Sequence, residues 1–221
     1  MGTKAGPPMA ADRAGISSAP IVDGHTYLVD CGRACVPQFH KAGLSFASLR
    51  GIFLTHLHAD PVADYFNYFM MASTTGRKNG DVIPGQLAVY GPGPAGGLPE
   101  PFGGRPVGIA SPEEPTPGTK SMTAHLLRAF AYTNNIFMRD EDVRDYDSLV
   151  AVNEIMPPHS AHVMVEDMGP VAQASHVDHM VLSHIENTGG TIDPVEWHRL
   201  ASRGYDGAVT VGQDLQIITV A

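Results

Sequence analysis

Short apolar runs, separated by glycine- and proline-rich punctuation, organise the chain. Residues 1–20 are rich in Gly, Pro, Ala and Ser and predict an irregular start. Apolar runs flank Asp23-Gly24, a pair suited to a tight two-residue turn, so residues 19–30 predict a hairpin. Residues 36–42 predict a helix stopped by Gly43. Residues 48–55 end in the apolar Ile52-Phe53-Leu54, the pattern of a strand buried on both faces, and His56 follows almost at once. Helical spacing returns over 62–73, and a short strand is predicted at 87–90. Residues 91–118 carry a dense Gly and Pro series and predict a long irregular insertion at the surface. Leu126, Leu127, Phe130, Ala131 and Asn134 predict one helix over 121–137, capped by Thr119 or Ser121, before a charged connection over 139–146. Further strands are predicted at 149–155, 162–165, 171–174 and 180–183, with His184 directly after the last. A helix over 194–202 and closing strands at 207–211 and 215–220 complete an α/β pattern without a fixed repeat.

The length, 221 residues, suits one domain with a core of its own, spanning 1–221 around the irregular insertion at 91–118. No uninterrupted apolar run approaches the ~18 residues of a membrane span, and the first residues lack the apolar stretch of a secretory signal. A cytoplasmic protein with no membrane partner is therefore expected. Asp and Glu outnumber Lys and Arg by 23 to 14, which makes a nucleic-acid partner less attractive than a small molecule. The two cysteines, Cys31 and Cys35, are too few for a disulfide scaffold and read as ordinary buried residues. Histidine is what stands out, with eleven unevenly placed residues.

The chemistry concentrates in Thr55-His56-Leu57-His58-Ala59-Asp60. Two imidazoles two residues apart, then a carboxylate two further on, offer two nitrogens and an oxygen at the end of a buried strand. That donor set suits a zinc-type ion of borderline hardness. A strand end has no structural need for three such groups.

FLTHLHAD resembles the H-x-H-x-D-H signature of the metallo-β-lactamase superfamily. GTKAGPP, YLVDCG, VLSH and YDGAVTVGQDL occur around it in the order seen in the arylsulfatase-like and ribonuclease Z-like branch. The resemblance implies an αββα sandwich with a metal site along one edge, usually of two zinc ions. It assigns His56, His58 and His179 to the first site, with His176 as the substitute for His179. It assigns Asp60 and His184 to the second. A water held by the metal would be the nucleophile, and Asp60 would orient it or take its proton.

The chain departs from that pattern in two places. Pro61 stands where the signature has a second-site histidine, and proline carries no ligand atom. Only Met180 to Ser183 separates His179 from His184, so the segment that carries the bridging aspartate cannot exist between them. The expectation is a shortened sandwich with one sheet incomplete, holding one zinc firmly and a second weakly or not at all. Exposed sheet edges and apolar patches should follow unless a partner subunit, as in a homodimer, hides them.

His159 and His162, an H-x2-H pair, read as a turn after Pro157-Pro158 rather than as ligands. His25, His40, His125 and His198 stand alone, and Asp64 and Tyr65 either line the cleft or serve the helix. Lys4 lacks the phosphate-loop pattern, and no G-x-S-x-G nucleophile elbow is present. The function expected is metal-dependent hydrolysis of a sulfate ester or phosphodiester. Ribonuclease Z-like processing of tRNA 3′ ends comes second, and a non-catalytic remnant with one metal or none is the alternative outside enzymes.

Overall fold

The computed structural model describes residues 1–6, 11–74, 80–98, 104, 108–155, 165–185 and 192–220. β1 (Ile21–Val22) and β2 (His25–Val29) form the expected hairpin. Asp23 (φ 49°) and Gly24 (φ 75°) are both left-handed, the pair of positive φ values that a two-residue turn of this hand requires. β2 continues in parallel with β3 (Leu49–Phe53), β3 with β4 (Leu87–Pro92), and β4 with β5 (Val150–Ile155). The result is a five-stranded sheet in the order β1-β2-β3-β4-β5.

Alternation along the strands sends Leu28, Ile52 and Val89 to one face, where each is fully buried. There they meet α1 (Cys35–Lys41) and, beyond the short α2 (Ala59–Val62), α3 (Tyr65–Thr74). Phe39 lies parallel to Phe46 at 5.5 Å and meets the edge of Tyr68 at 5.6 Å. Cys31 and Cys35 are buried free thiols in the same cluster, as expected. α4 (Thr119–Ala129) adds Met122, Leu126 and Leu127 from the side, and α5 (Ala131–Glu141) follows.

The C-terminal part builds a second, smaller layer. β6 (His179–Leu182) and β7 (Ala208–Val211) pair in parallel as a two-stranded sheet. α6 (Val165–Ala174) and α7 (Pro194–Ala201) pack on it around Ala172, Met180, Leu182, Ala201 and Tyr205. Helices, five-stranded sheet, two-stranded sheet and helices give the αββα order, with the second sheet reduced among the described residues.

The N-terminal segment ties the layers together. Ser18 bridges to Val29 of the large sheet, and Lys4 bridges to Ile185 just beyond β6. Ile185 N–H donates to Thr3 O at 3.0 Å, and Thr3 Oγ1 donates to Asp214 at 2.8 Å. Gly15 and Gly32 make this crossing close. A Cβ on Gly32 would lie 2.6 Å from the Gly15 carbonyl carbon and from the backbone of Ile16.

Several elements differ from the pattern reading. The single helix over 121–137 is two, broken at Phe130, whose ring stacks on Phe66 at 5.2 Å. Its N-cap is Gly118, without a side-chain cap, and not Thr119 or Ser121. Residues 171–174 are helical, inside α6, where Glu166 and Asp167 favour the first turn. Of 162–165, only Val165 is described, and it starts that helix. Residues 215–220 form no strand, because Leu215 turns the chain at φ 59°. In the insertion, residues 93–98 and 108–118 carry no helix or strand. Phe53 is 39% exposed, so β3 is not buried on both faces at its end.

Candidate metal centre

The centre starts from β3. Leu54 N–H still donates to Tyr90 O at 2.8 Å, so the chain leaves the sheet rigidly held. His56 then turns inward and is buried, whereas His58, the extended N-cap of α2, is exposed. Their rings meet edge to face at 4.7 Å. Asp60 falls in the first turn of α2. His184 comes from the opposite layer, just past the end of β6, at φ 59°. Its ring stacks on that of His56 with centroids 5.2 Å apart and 15° between planes.

Asp60 Oδ2 accepts hydrogen bonds from Gly6 N–H at 2.9 Å and from His184 Nε2 at 2.8 Å. Burial pushes the Asp60 carboxyl up, but these two donors outweigh it and hold the group below its ordinary range. Ligand atoms of His56, Asp60 and His184 all lie within 4.8 Å of one another. Two imidazole nitrogens and a carboxylate oxygen fit a divalent transition-metal ion.

His179 is not brought to this group. It opens β6, and its Nε2 bonds Thr210 Oγ1 of β7 at 2.8 Å. With a strand rise of about 3.3 Å per residue, β6 sets its two ends roughly 10 Å apart. The expected first-site trio of His56, His58 and His179 is therefore not assembled, and His176 is exposed after α6. His159 and His162 lie outside the described residues. His25, His40, His125 and His198 are exposed. Asp64 serves the scaffold, accepting from Val36 N–H at 3.3 Å and Asn67 Nδ2 at 3.1 Å. Tyr65 is fully buried against Thr123 Oγ1 at 3.0 Å.

Three residues around the centre escaped sequence reasoning. Asp30 is buried one position beyond β2 and accepts Thr55 N–H at 2.8 Å and Thr55 Oγ1 at 2.8 and 3.0 Å. Burial pushes its carboxyl up against the lowering effect of those bonds. Thr55 Oγ1 in turn lies 3.0 Å from His56 Nδ1. Gly6 contributes through its backbone alone. The available signal was the acid of YLVDCG at a strand end, which becomes informative once β2 and β3 are known to be parallel neighbours.

Beside the centre a cleft of about 370 Å³ opens between the layers. Val29, Thr55 and His56 line one side, and Met168, Val181 and His184 the other.

The family model described as Anti-Pycsar protein Apyc1 matches residues 19–74, which hold β1 to α3 and the histidine motif. Ribonuclease Z of Mycobacterium marinum is 36% identical over 81 residues, 37% of this chain and 28% of that protein. Ribonuclease Z of a Mycobacterium species (strain KMS) is 44% identical over 54 residues, 24% of this chain and 19% of that protein. The chain thus matches under a third of the length of these relatives. The metallo-β-lactamase fold protein YhfI of Bacillus subtilis superposes with a TM-score of 0.60 at 14% identity, over 96% of this chain and 94% of that one. The sandwich thus has the metallo-β-lactamase fold, and the segment that carries the histidine motif is locally similar to ribonucleases Z.

Proposed function

We propose that the protein is a metal-dependent hydrolase of phosphodiester bonds, with RNA as its substrate class and zinc as its ion. The observation that carries this reading is the convergence of His56, Asp60 and His184 beside the cleft of a metallo-β-lactamase fold. The local identity to ribonucleases Z supports the phosphodiester over the sulfate ester, and a nucleic acid over the small molecule that the acidic composition favoured. A cytoplasmic setting belongs to the same proposal. Among the described residues no helix is long and apolar enough to cross a membrane.

When bound, the ion supplies a Lewis acid and lowers the pKa of a coordinated water. The chain's own residues do the rest. Asp60, held ionised by Gly6 N–H and His184, orients a water and accepts its proton. His184 reaches solvent with a quarter of its side chain, so the centre is open to water on that side. Val29 on one side and Met168 and Val181 on the other give the cleft apolar surface that restricts bulk water there.

The test compares a 3′-extended precursor tRNA, bis(4-nitrophenyl) phosphate and 4-nitrophenyl sulfate, with and without added zinc. Phosphodiester cleavage is expected, falling on the order of 100-fold or more in Asp60→Asn. Hydrolysis of the sulfate alone would restore the small-ester reading. A folded, zinc-loaded protein that cleaves none of the three would be a non-catalytic remnant.

A further inference from the structure

We propose that the open face of the five-stranded sheet carries a stacking site for unpaired bases of an RNA strand, with Phe53 and Tyr90 as the residues that hold them. The inference deepens the proposed function and takes its substrate class from it. Leu28, Ile52 and Val89 turn toward the helices, so their neighbours Val29, Phe53 and Tyr90 turn the other way, in register across β2, β3 and β4. Asn153 continues the row on the edge strand β5. The two-stranded second sheet leaves this row within reach of solvent. Phe53 and Asn153 are exposed, and Val29 and Tyr90 are half-buried.

The row suits flat rings. Phe53 and Tyr90 lie nearly parallel, with centroids 5.2 Å apart and 12° between planes. Tyr27 tilts against Phe53 at 6.5 Å and 46°. One row back on the same face, Gly51, Ala88 and Ala151 lie side by side in register. These small residues leave the rings standing above a low floor. A Cβ on Gly51 would sit 3.4 Å from Tyr27 Cδ1 and 3.7 Å from Phe53 Cε2, so both rings lean over it. A further planar ring on the Phe53–Tyr90 stack extends an arrangement already present. On the Asn153 side it also meets an amide, which both donates and accepts and so suits a base edge.

The position of the row favours a substrate over a protein partner. Val29 lines the cleft and pairs with Phe53. Phe53 O accepts Asp30 N–H at 2.8 Å, and Tyr90 O accepts Leu54 N–H at 2.8 Å, so the rings stand on the same rigid strand ends that carry the centre. Phe53 precedes His56 by three residues, roughly 10 Å of extended chain. A strand with its scissile phosphate at the centre therefore reaches the rings with a neighbouring base. Charge points the same way. Asp and Glu outnumber Lys and Arg by 23 to 14, so phosphate neutralisation contributes little, whereas stacking needs no cation and tolerates any base.

The experiment measures fluorescence anisotropy of a labelled single-stranded RNA of about ten nucleotides. The full chain is used, first with a chelator so that no strand is cut and then with zinc. A strand of the same length without bases and a duplex are the controls, and salt is varied. The single strand should bind about 10-fold or more tightly than either control, with a shallow salt dependence. This comparison needs no variant. Tyr90→Leu, which keeps apolar bulk but removes the ring, should bring the single strand down to the level of the baseless one, and Tyr90→Phe should stay within about twofold. Circular dichroism checks that both fold. Equal binding of the strands with and without bases, or unchanged binding in a folded Tyr90→Leu, would overturn the inference. So would a dimer in sedimentation that dissociates in Tyr90→Leu, because a second copy would then cover the face. Base-dependent binding without cleavage of any ester supports the inference and fails the proposed function. Cleavage with base-independent binding does the reverse, and the absence of both fails both.

Discussion

Gly32 shows how much of the centre depends on close approach by the backbone. It packs against Gly15 and Ile16 of the N-terminal segment, whose residue Gly6 holds Asp60. Gly32→Ala would set its Cβ 2.6 Å from that backbone, and neither segment can yield without moving the other. A loss of about 3 kcal/mol is expected in urea unfolding. Tyr65→Phe tests the opposite case. Its hydroxyl meets Thr123 on the helix side of the sheet, so the variant should cost about 1 kcal/mol and leave metal binding and hydrolysis unchanged. A changed kcat would return Tyr65 to the cleft. His56, His58 and Asp60 were legible as candidates because their spacing is local. Asp30 was not, because it meets Thr55 across 25 residues and only through the pairing of β2 with β3.

Among the elements, the strands of the large sheet were legible because apolar runs bounded by turn residues leave few alternatives. β1 to β5 fall where the pattern puts them, within a few residues. The failures are tertiary. Phe130 breaks a continuous helical pattern because its ring is held against Phe66, a contact that periodicity cannot show. Residues 171–174 look extended by their Val and Ala content, yet α6 has to pack its helical face, with Ala172, into the small cluster. α7 falls where a helix over 194–202 was expected, and the structure shows Asp193 as its cap, followed by proline in the first turn. The Asp193 carboxylate accepts from Val195 N–H at 2.9 Å. Asp193→Ala should therefore cost about 1 kcal/mol, measured by chemical unfolding, and Asp193→Asn clearly less. Equal losses in both would show that the cap is not the cause.

At the scale of the molecule, the described residues form two apolar clusters, a large one on the five-stranded sheet and a small one under β6 and β7. The proposed ligands straddle them, with His56 and Asp60 on the large layer and His184 on the small one. An ion bound there stabilises the joint as well as the site. At 100 times its Kd it would add about 2.7 kcal/mol. Hydrogen exchange at β6 and β7 should slow accordingly when zinc is added, and should not respond in His184→Gln. Equal protection with and without zinc in the unaltered protein would mean that the N-terminal segment alone fixes the joint. An incomplete sheet was expected from the short spacing between His179 and His184, and among the described residues the second sheet has two strands. The displacement of His179 from the centre was not, because Thr210 lies on a strand whose pairing the sequence does not reveal.

The chain's single tryptophan, Trp197, packs against the small cluster and not the large one, which holds many of the tyrosines and phenylalanines. Emission excited at the red edge of the indole band therefore carries an optical signal from the small layer alone. Far-ultraviolet dichroism weights the whole backbone. Superimposed melting curves from the two signals would mean that the layers unfold as one unit, and their separation in degrees would measure how far one loosens before the other.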